Sequence, residues 1–390
     1  MATLNQHRET AVLVIPTYNE ADNIGKMIDY LNTKTFPSLP EKWDMKILVV
    51  DGNSPDGTGK IVEDKSKKFP NTFLYKETSK DGLGAAYLKG FKYSMEKLKA
   101  DYVFEFDADF QHPPETIPSM LEAMDDGYDY VIGSRKIKGG AEPQGRDFMR
   151  MMMTEVGGFA ARFILFFPFK HFWDVTDPTT GLKVTRVKGF IDHLDMSFDH
   201  LHSKKFGYKV QLLSETLAMG AKFKEVPLKF ANREAGNSKF ESDTTKEILL
   251  SCIKTRWYEK TTQKFLKFGT VGFIGYLINA SFLAIFSKLW NIEWLSWLLS
   301  TEMAIVSNFT FNNLWTFKSD QISGIKQITA KFLQFNLSSA GALLIQTVFG
   351  SLGVAIFGAN SRQILLPFII AFLVLPYNWL MYNKIIWKKS

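Results

Sequence analysis

Four apolar stretches crowd the last third of the chain and fix its broad class before any motif is considered. They read "FGTVGFIGYLINASFLAIFSK", "WLSWLLSTEMAIVSNFTFNNLW", "FLQFNLSSAGALLIQTVFGSLGVAIF" and "ILLPFIIAFLVLPYNWLMYNKIIW". Each is near the roughly 20 residues that a membrane-spanning helix needs. The lengths, and Trp residues at the expected interfaces, favour membrane spans over four buried helices of a globular domain. Lysines gather before the first stretch (Lys260, Lys264, Lys267), between the second and third (Lys318, Lys326, Lys331) and after the fourth (Lys384, Lys388, Lys389). By the positive-inside bias, both termini are expected in the cytosol, and so is everything that precedes the first span. Glu302, Asn308, Asn312, Asn313 and Asn336 are expensive in hydrocarbon, so they mark either a functional path or interhelical hydrogen bonds.

The preceding residues have another character. "AVLVIPTYNE", "MKILVVDGNSPDGT", "NTFLYKE" and "DYVFEFDAD" are apolar, strand-like runs. The segments between them, "ADNIGKMIDYL", "GKIVEDKSKKF" and "LGAAYLKGFKYSMEKL", have helical spacing. Strands alternating with helices predict an α/β domain with a mostly parallel sheet, whose ligands bind beyond the strands' carboxyl ends. The expected organisation is a catalytic domain over 1–240, an amphipathic basic linker over 241–267 and four membrane helices over 268–390. The chain carries a net charge of +7, but its Lys and Arg are spread widely and no helix-turn-helix or zinc pattern appears, so nucleic acid is not an expected partner. The single cysteine, Cys252, excludes a disulfide within the chain. The start, "MATLNQHRET", is polar and no signal peptide is expected there.

Polar residues collect at the predicted sheet edge. Pro16, Tyr18 and Glu20 follow the first strand, and Asp51, Asn53 and Asp56 the second. In "YVFEFDADFQHPPE", Glu105, Asp107 and Asp109 recur at every second position and would share one strand face, which repels unless a positive partner compensates. Asp107, Asp109 and Gln111 would continue that alternation beyond the core. A hard divalent cation there, Mg²⁺ or Mn²⁺, would use one or two carboxylates together with substrate phosphates. His112 is read as packing in the turn, because an oxygen site does not need imidazole. Glu105, one step deeper, is expected to have a structural partner, a nearby Lys or Arg. In "DFMRMMMTEVGGFAARFILFFPF", within an interfacial segment near 146–170, Met149, Met153, Val156, Phe159 or Ala160, and Phe163 form an apolar stripe at helical spacing, while Arg150 and Thr154 share another face. Gly157 and Gly158 speak against a continuous helix there.

Five segments, "VIPTYNE", "VVDGNSPDGT", "GLGAAYLKGF", "DADFQHPPE" and "VIGSRKIKGG", resemble in order the inverting GT-A glycosyltransferases of family 2 that make polyprenyl-phosphate sugars, the dolichyl-phosphate mannose synthases in particular. "VTDPTTGLKVTR" and "REAGNSK" extend the resemblance, and the C-terminal stretches look like a GtrA-like membrane domain. The resemblance implies a multi-pass membrane enzyme moving mannose from GDP-mannose to dolichyl (polyprenyl) phosphate among membrane lipids. It implies that Pro16, Tyr18, Glu20, Val50 and Asp51 line the nucleotide pocket, with Asp107 and Ala108 along the nucleotide sugar. Asp109 and Gln111 would hold the metal on its diphosphate. Arg135, Lys209, Arg233 and Lys239 are the matching basic positions for donor or acceptor phosphates, and Asp107, Asp109 and Arg135 the expected catalytic set. For the lipid phosphate, Arg135 is joined by Arg150 and Thr154. Gly52 departs from the family pattern, which often has a second carboxylate there, and this keeps a UDP-glucose donor open. A lipid-linked sugar carrier or flippase component is the alternative of another class.

Overall fold

The computed structural model describes residues 8–143, 148–168, 171–231, 244–289, 293–357, 368–381 and 384. The chain divides into two units, Met1–Arg256 and Trp257–Ser390.

The first unit is a seven-stranded sheet flanked by helices. In chain order its elements are β1 (Glu9–Thr17), α1 (Ala21–Tyr30), β2 (Trp43–Asp51), α2 (Thr58–Lys68), β3 (Thr72–Lys76), α3 (Leu83–Glu96), β4 (Tyr102–Glu105) and α4 (Ile117–Asp125). There follow β5 (Tyr130–Ser134), α5 (Phe148–Phe166), α6 (His171–Asp174), β6 (Lys183–Arg186), α7 (Tyr208–Ala218), β7 (Phe223–Pro227) and α8 (Thr244–Tyr258). The strand order is β3-β2-β1-β4-β6-β5-β7. All neighbours pair in parallel except around β6, which is antiparallel to both β4 and β5. The expected α/β, mostly parallel architecture is therefore present, with three strands more than the four apolar runs suggested. Two of the three, β6 and β7, carry charges (Lys183, Arg186, Lys224, Glu225) that dilute the apolar signal a buried strand normally shows.

Central β1 shows why this sequence makes a core strand. Ala11 to Ile15 are fully buried and alternate between two cores. Leu13 and Ile15 pack with Ile24, Met27 and Ile28 of α1, whereas Val12 and Val14 meet Tyr87 and Phe91 of α3. A third core joins β5 to α5, α7 and α8 through Ile132, Ala161, Leu213 and Cys252. Helix α5 runs unbroken through Gly157 and Gly158, against the expectation of an interruption, because Ala161 and Leu165 pin it to this core. Tertiary packing offsets the roughly 1 kcal/mol that each helical glycine costs.

The second unit is helical where described: α9 (Lys260–Leu289), α10 (Glu293–Phe311), α11 (Ile325–Phe357) and the short Leu375–Met381. Phe268, Phe309, Phe317, Phe335 and Trp379 form its buried aromatic cluster. Asn313 donates from Nδ2 to the Ile322 carbonyl at 3.0 Å and accepts the Ile322 N–H at 2.8 Å, so this asparagine fastens a turn. Many large apolar side chains face outward, including Phe273, Leu277, Leu333, Leu337, Leu352 and Phe372. The expected spans coincide with these helices, the fourth lying partly outside the described residues. Among the described residues, no helix is long and apolar enough to cross a membrane.

Candidate active site

A cleft of about 930 Å³ opens beyond the carboxyl ends of the parallel strands. It lies where the strand order reverses between β1 and β4, the usual ligand crevice of such sheets. Pro16, Tyr18 and Glu20 reach it from β1, Gly52 from β2, Glu77, Lys80 and Asp81 from β3, and Asp107, Ala108, Asp109, Gln111 and His112 from β4. Arg135 beyond β5, the turn Thr179–Gly181 before β6, and Lys204, Lys205 and Lys209 line the opposite wall. Helix α5 adds Thr154, Gly157 and Gly158, while its Val156, Phe159 and Phe163 remain exposed. Gly82, at φ +105°, opens α3 where a Cβ would stand 2.5 Å from the Lys204 carbonyl oxygen. Only glycine lets the "GLG" turn and the lysine-bearing wall approach so closely.

The acidic segment does not continue as a strand. β4 stops at Glu105, and Phe110 sits in the left-handed region at φ 61°. Strand alternation therefore does not bring Asp107, Asp109 and Gln111 together; a turn does. A phenylalanine is costly in that conformation, and such backbone strain clusters at functional sites. The Gln111 N–H donates to Asp109 Oδ1 at 3.1 Å, and Asp109 is 5% exposed. Tyr87 donates to the Phe106 carbonyl at 3.2 Å and stands 3.4 Å from Asp107 Oδ1. His112 is buried edge-on against Phe230, and burial pushes its pKa down to about 4, so its ring is neutral. Its Nδ1 lies 3.3 Å from Asp107 Oδ2 without hydrogen-bond alignment.

Among the described residues, no three His, Cys, Asp or Glu side chains group to hold a metal ion. The donors offered by Asp109 and Gln111 are oxygens, and they share the cleft with Asp107. That set fits a hard divalent cation completing its shell with substrate phosphate and water rather than a closed protein cage.

Two cations differ in their surroundings. Arg135 is clamped by Asp177: Nε donates to Oδ2 and Nη2 to Oδ1, both at 2.7 Å. Burial favours the neutral forms of both groups. Their mutual attraction outweighs it, raising the Arg135 pKa and lowering that of Asp177. Lys209 is 7% exposed, and no carboxylate among the described residues pairs with it. Its Nζ would stand 2.5 Å from a Cβ on Gly181, so the missing side chain there makes room for the ammonium group.

Glu105 has the structural partners anticipated for it. The Tyr208 hydroxyl donates to Oε2 at 3.0 Å, and Lys183 Nζ lies 3.7 Å from Oε1. Lys183 also donates to the Lys209 carbonyl at 2.8 Å, and burial pushes its pKa down to about 8. The carboxylate alternation thus divides into a buried charge pair and a cleft-lining turn.

Two expected pocket residues stay out of the cleft wall. Val50 is fully buried in the core against α3. Asp51 is also fully buried, accepting the Thr17 hydroxyl at 3.1 Å and the Ser54 N–H at 3.1 Å, so it braces the loops beneath the cleft. The Arg150 side chain, Arg233 and Lys239 lie outside the described residues. Asp177, Glu77, Lys204 and Lys205 were not singled out from the sequence. Only the "VTDPTTG" turn pointed towards Asp177.

Comparison with known proteins places these features. Residues 12–193 match glycosyl transferase family 2, and residues 267–387 match the GtrA/DPMS transmembrane domain. A dolichol-phosphate mannosyltransferase of Pyrococcus furiosus is 30% identical over 365 residues, 93% of this chain and 97% of its own length. An undecaprenyl-phosphate mannosyltransferase of Micrococcus luteus is 34% identical over 244 residues, 63% of this chain and 92% of its own. Among solved structures, a mannosyl-3-phosphoglycerate synthase from Rubrobacter xylanophilus aligns with a TM-score of 0.46 and 20% identity, over 65% of this chain and 76% of its own.

Proposed function

The chain belongs to the polyprenyl-phosphate mannosyltransferases of glycosyltransferase family 2, and from that membership we propose that it moves mannose from GDP-mannose to dolichyl or a related polyprenyl phosphate, inverting the anomeric carbon. The observation that carries this is Lys209, a buried ammonium with no carboxylate partner among the described residues, lining one cleft with Asp107, Asp109 and Gln111. Its contact with the Phe206 ring, 5.6 Å from the ring centre, offsets only part of the cost of burying an ammonium group without a carboxylate, and a bound phosphate would supply the rest.

The acceptor phosphate oxygen attacks the anomeric carbon, the bond from that carbon to the nucleoside diphosphate breaks, and the diphosphate keeps the electron pair. A phosphate monoester has its second pKa near 6, so the acceptor is largely dianionic and needs no general base. The protein's tasks are orientation and charge stabilisation. Bound by Asp109 and Gln111, Mg²⁺ or Mn²⁺ would neutralise the leaving diphosphate. Asp107 and Ala108 lie beside the sugar, and Lys209 faces the phosphates. Arg135 shapes this wall through Asp177, and it meets an acceptor phosphate only in competition with that carboxylate. Thr154 offers a hydroxyl to the lipid phosphate.

The GtrA/DPMS match makes this a membrane protein. Exposed Val156, Phe159, Phe163 and Trp173 suit a catalytic unit seated at a bilayer surface. In this reading four helices span the membrane, with the catalytic unit and both termini on the cytosolic side, as the lysine distribution favours.

The test is to incubate purified full chain and Mg²⁺ or Mn²⁺ with GDP-mannose and a short polyprenyl phosphate. Mannose should pass into an organic-extractable lipid. No lipid product with either metal would refute the proposal.

A further inference from the structure

The cleft has an end that catalysis does not use. Beyond β1, β2 and β3 it is walled by Tyr18, Gly52, Glu77 and Lys80. If the diphosphate lies at Asp109 and Lys209, the nucleobase of the donor belongs at this other end. Lys80 Nζ lies 3.9 Å from the centre of the Tyr18 ring, holding a flat aromatic group at the rim. Gly52 brings no side chain between these groups, and its place is closely surrounded. A Cβ there would stand 3.5 Å from each of Glu77 Oε2, the Thr17 carbonyl oxygen and Tyr18 Cδ2. Two of these three neighbours are hydrogen-bond acceptors, and the third is an aromatic edge.

Glu77 is built to stay in place. Its side chain is 3% exposed, and Oε1 takes the Lys89 ammonium at 2.5 Å, with Lys89 also bridging Asp81 at 2.5 Å. Its backbone N–H donates to the Asp51 carbonyl at 2.8 Å. The second oxygen, Oε2, is the one beside Gly52. The other carboxylate after β2, Asp51, is turned into the loops and serves them. Glu20 and Asp81 are more exposed than Glu77, so a hydrogen bond to either discriminates less.

We infer that Glu77 is the specificity-determining residue for the nucleobase, its Oε2 accepting hydrogen bonds from the donor edge of guanine in the cleft beside Gly52. This rests on the GDP-mannose reading. Guanine presents adjacent N1–H and N2–H donors to such an acceptor. Uracil presents a single N3–H between two carbonyl oxygens, which a fixed carboxylate repels. A buried acceptor that loses its proper partner penalises the wrong ligand strongly. The carboxylate that Gly52 lacks is thus supplied from the next strand.

The test is calorimetric titration of full-length protein in detergent, with Mg²⁺, by GDP and by UDP. The wild type should prefer GDP at least tenfold. Glu77→Ala should cut that ratio tenfold or more, by weakening GDP. Glu77→Ala combined with Gly52→Asp should restore most of it, because an aspartate at 52 would set its carboxylate close to where Oε2 stands. A merely structural Glu77 would not be rescued from position 52. If Glu77→Ala does not fold, Glu77→Gln keeps the shape and the Lys89 contact, and the same loss is expected. An unchanged ratio in either variant, a double variant no better than the single, or a wild type favouring UDP would overturn the inference. Failure of the GDP-mannose reading has a different signature, namely wild-type protein that makes no mannosyl lipid from GDP-mannose.

Discussion

Lys183 stands directly across from Glu105 on the antiparallel pair β4–β6, its Nζ 3.7 Å from Oε1, and neither side chain is more than 4% exposed. The strand that leads into the "DAD" turn is therefore fastened by an internal charge pair. The same ammonium group holds the backbone of Lys209. One buried lysine thus joins the acidic turn to the basic wall of the cleft.

Removing one partner of such a pair leaves a buried charge uncompensated, which typically costs about 3–5 kcal/mol, whereas removing both is much milder. Lys183→Met should lower the melting temperature markedly, and Lys183→Met with Glu105→Leu should recover most of that loss. A double variant as unstable as the single would show that the pair is not coupled.

The Arg135–Asp177 clamp has a pH signature. Burial alone would raise the Asp177 pKa, but Arg135 outweighs it and holds the carboxyl below its ordinary value. A depressed folded-state pKa contributes stability that is fully present above the unfolded value, about 3.9, and is lost as pH falls through the folded value. Asp177→Asn should melt below wild type at pH 7, and the gap should close in strong acid. Melting curves at pH 7, 4 and 3 check this; a pH-independent gap would contradict it.

Much of this was readable in advance, for a physical reason. Apolar runs such as Ala11–Ile15 report buried strands, and turn residues at their ends report a sheet edge. Pro16, Tyr18, Glu20, Asp107, Ala108, Asp109, Gln111, Arg135, Thr154 and Lys209 do line one cleft. The resemblance implies pocket positions for Val50 and Asp51 at the end of β2, but it does not say which way a side chain turns there, and both are buried beneath the cleft. Nor does local pattern reveal long-range partners. Arg135 looks like a cation for phosphate until Asp177, 42 residues later, is folded against it. Glu77 follows an ordinary short strand, and only the approach of Gly52 makes it conspicuous.

The oxygen donors proposed at the acidic turn predict a metal requirement. Chelation with EDTA should abolish mannosyl transfer, and added Mg²⁺ or Mn²⁺ should restore it. Asp109→Ala should lose about a hundredfold or more in rate, in the range ascribed to one strong electrostatic contact in a transition state. Gln111→Ala should lose less, since it removes a neutral ligand. Full activity of Asp109→Ala would refute the assignment.

Lys209 should matter to phosphate rather than to folding. Lys209→Met preserves the buried stem and removes the charge that lacks a carboxylate partner. The variant is expected to be at least as stable as wild type, while its kcat/KM for GDP-mannose falls tenfold or more. Unstable protein with unchanged kinetics per folded molecule would reverse that assignment.

The most direct test of the central claim is sugar transfer by full-length protein supplied separately with GDP-mannose and UDP-glucose, each with a short polyprenyl phosphate and Mg²⁺ or Mn²⁺, with the identity and anomeric configuration of the transferred sugar determined by NMR. GDP-mannose is an α-linked donor, so inversion predicts β-mannosyl polyprenyl phosphate from GDP-mannose and little or no product from UDP-glucose. An α-linked product, or efficient transfer from UDP-glucose in place of GDP-mannose, would contradict it.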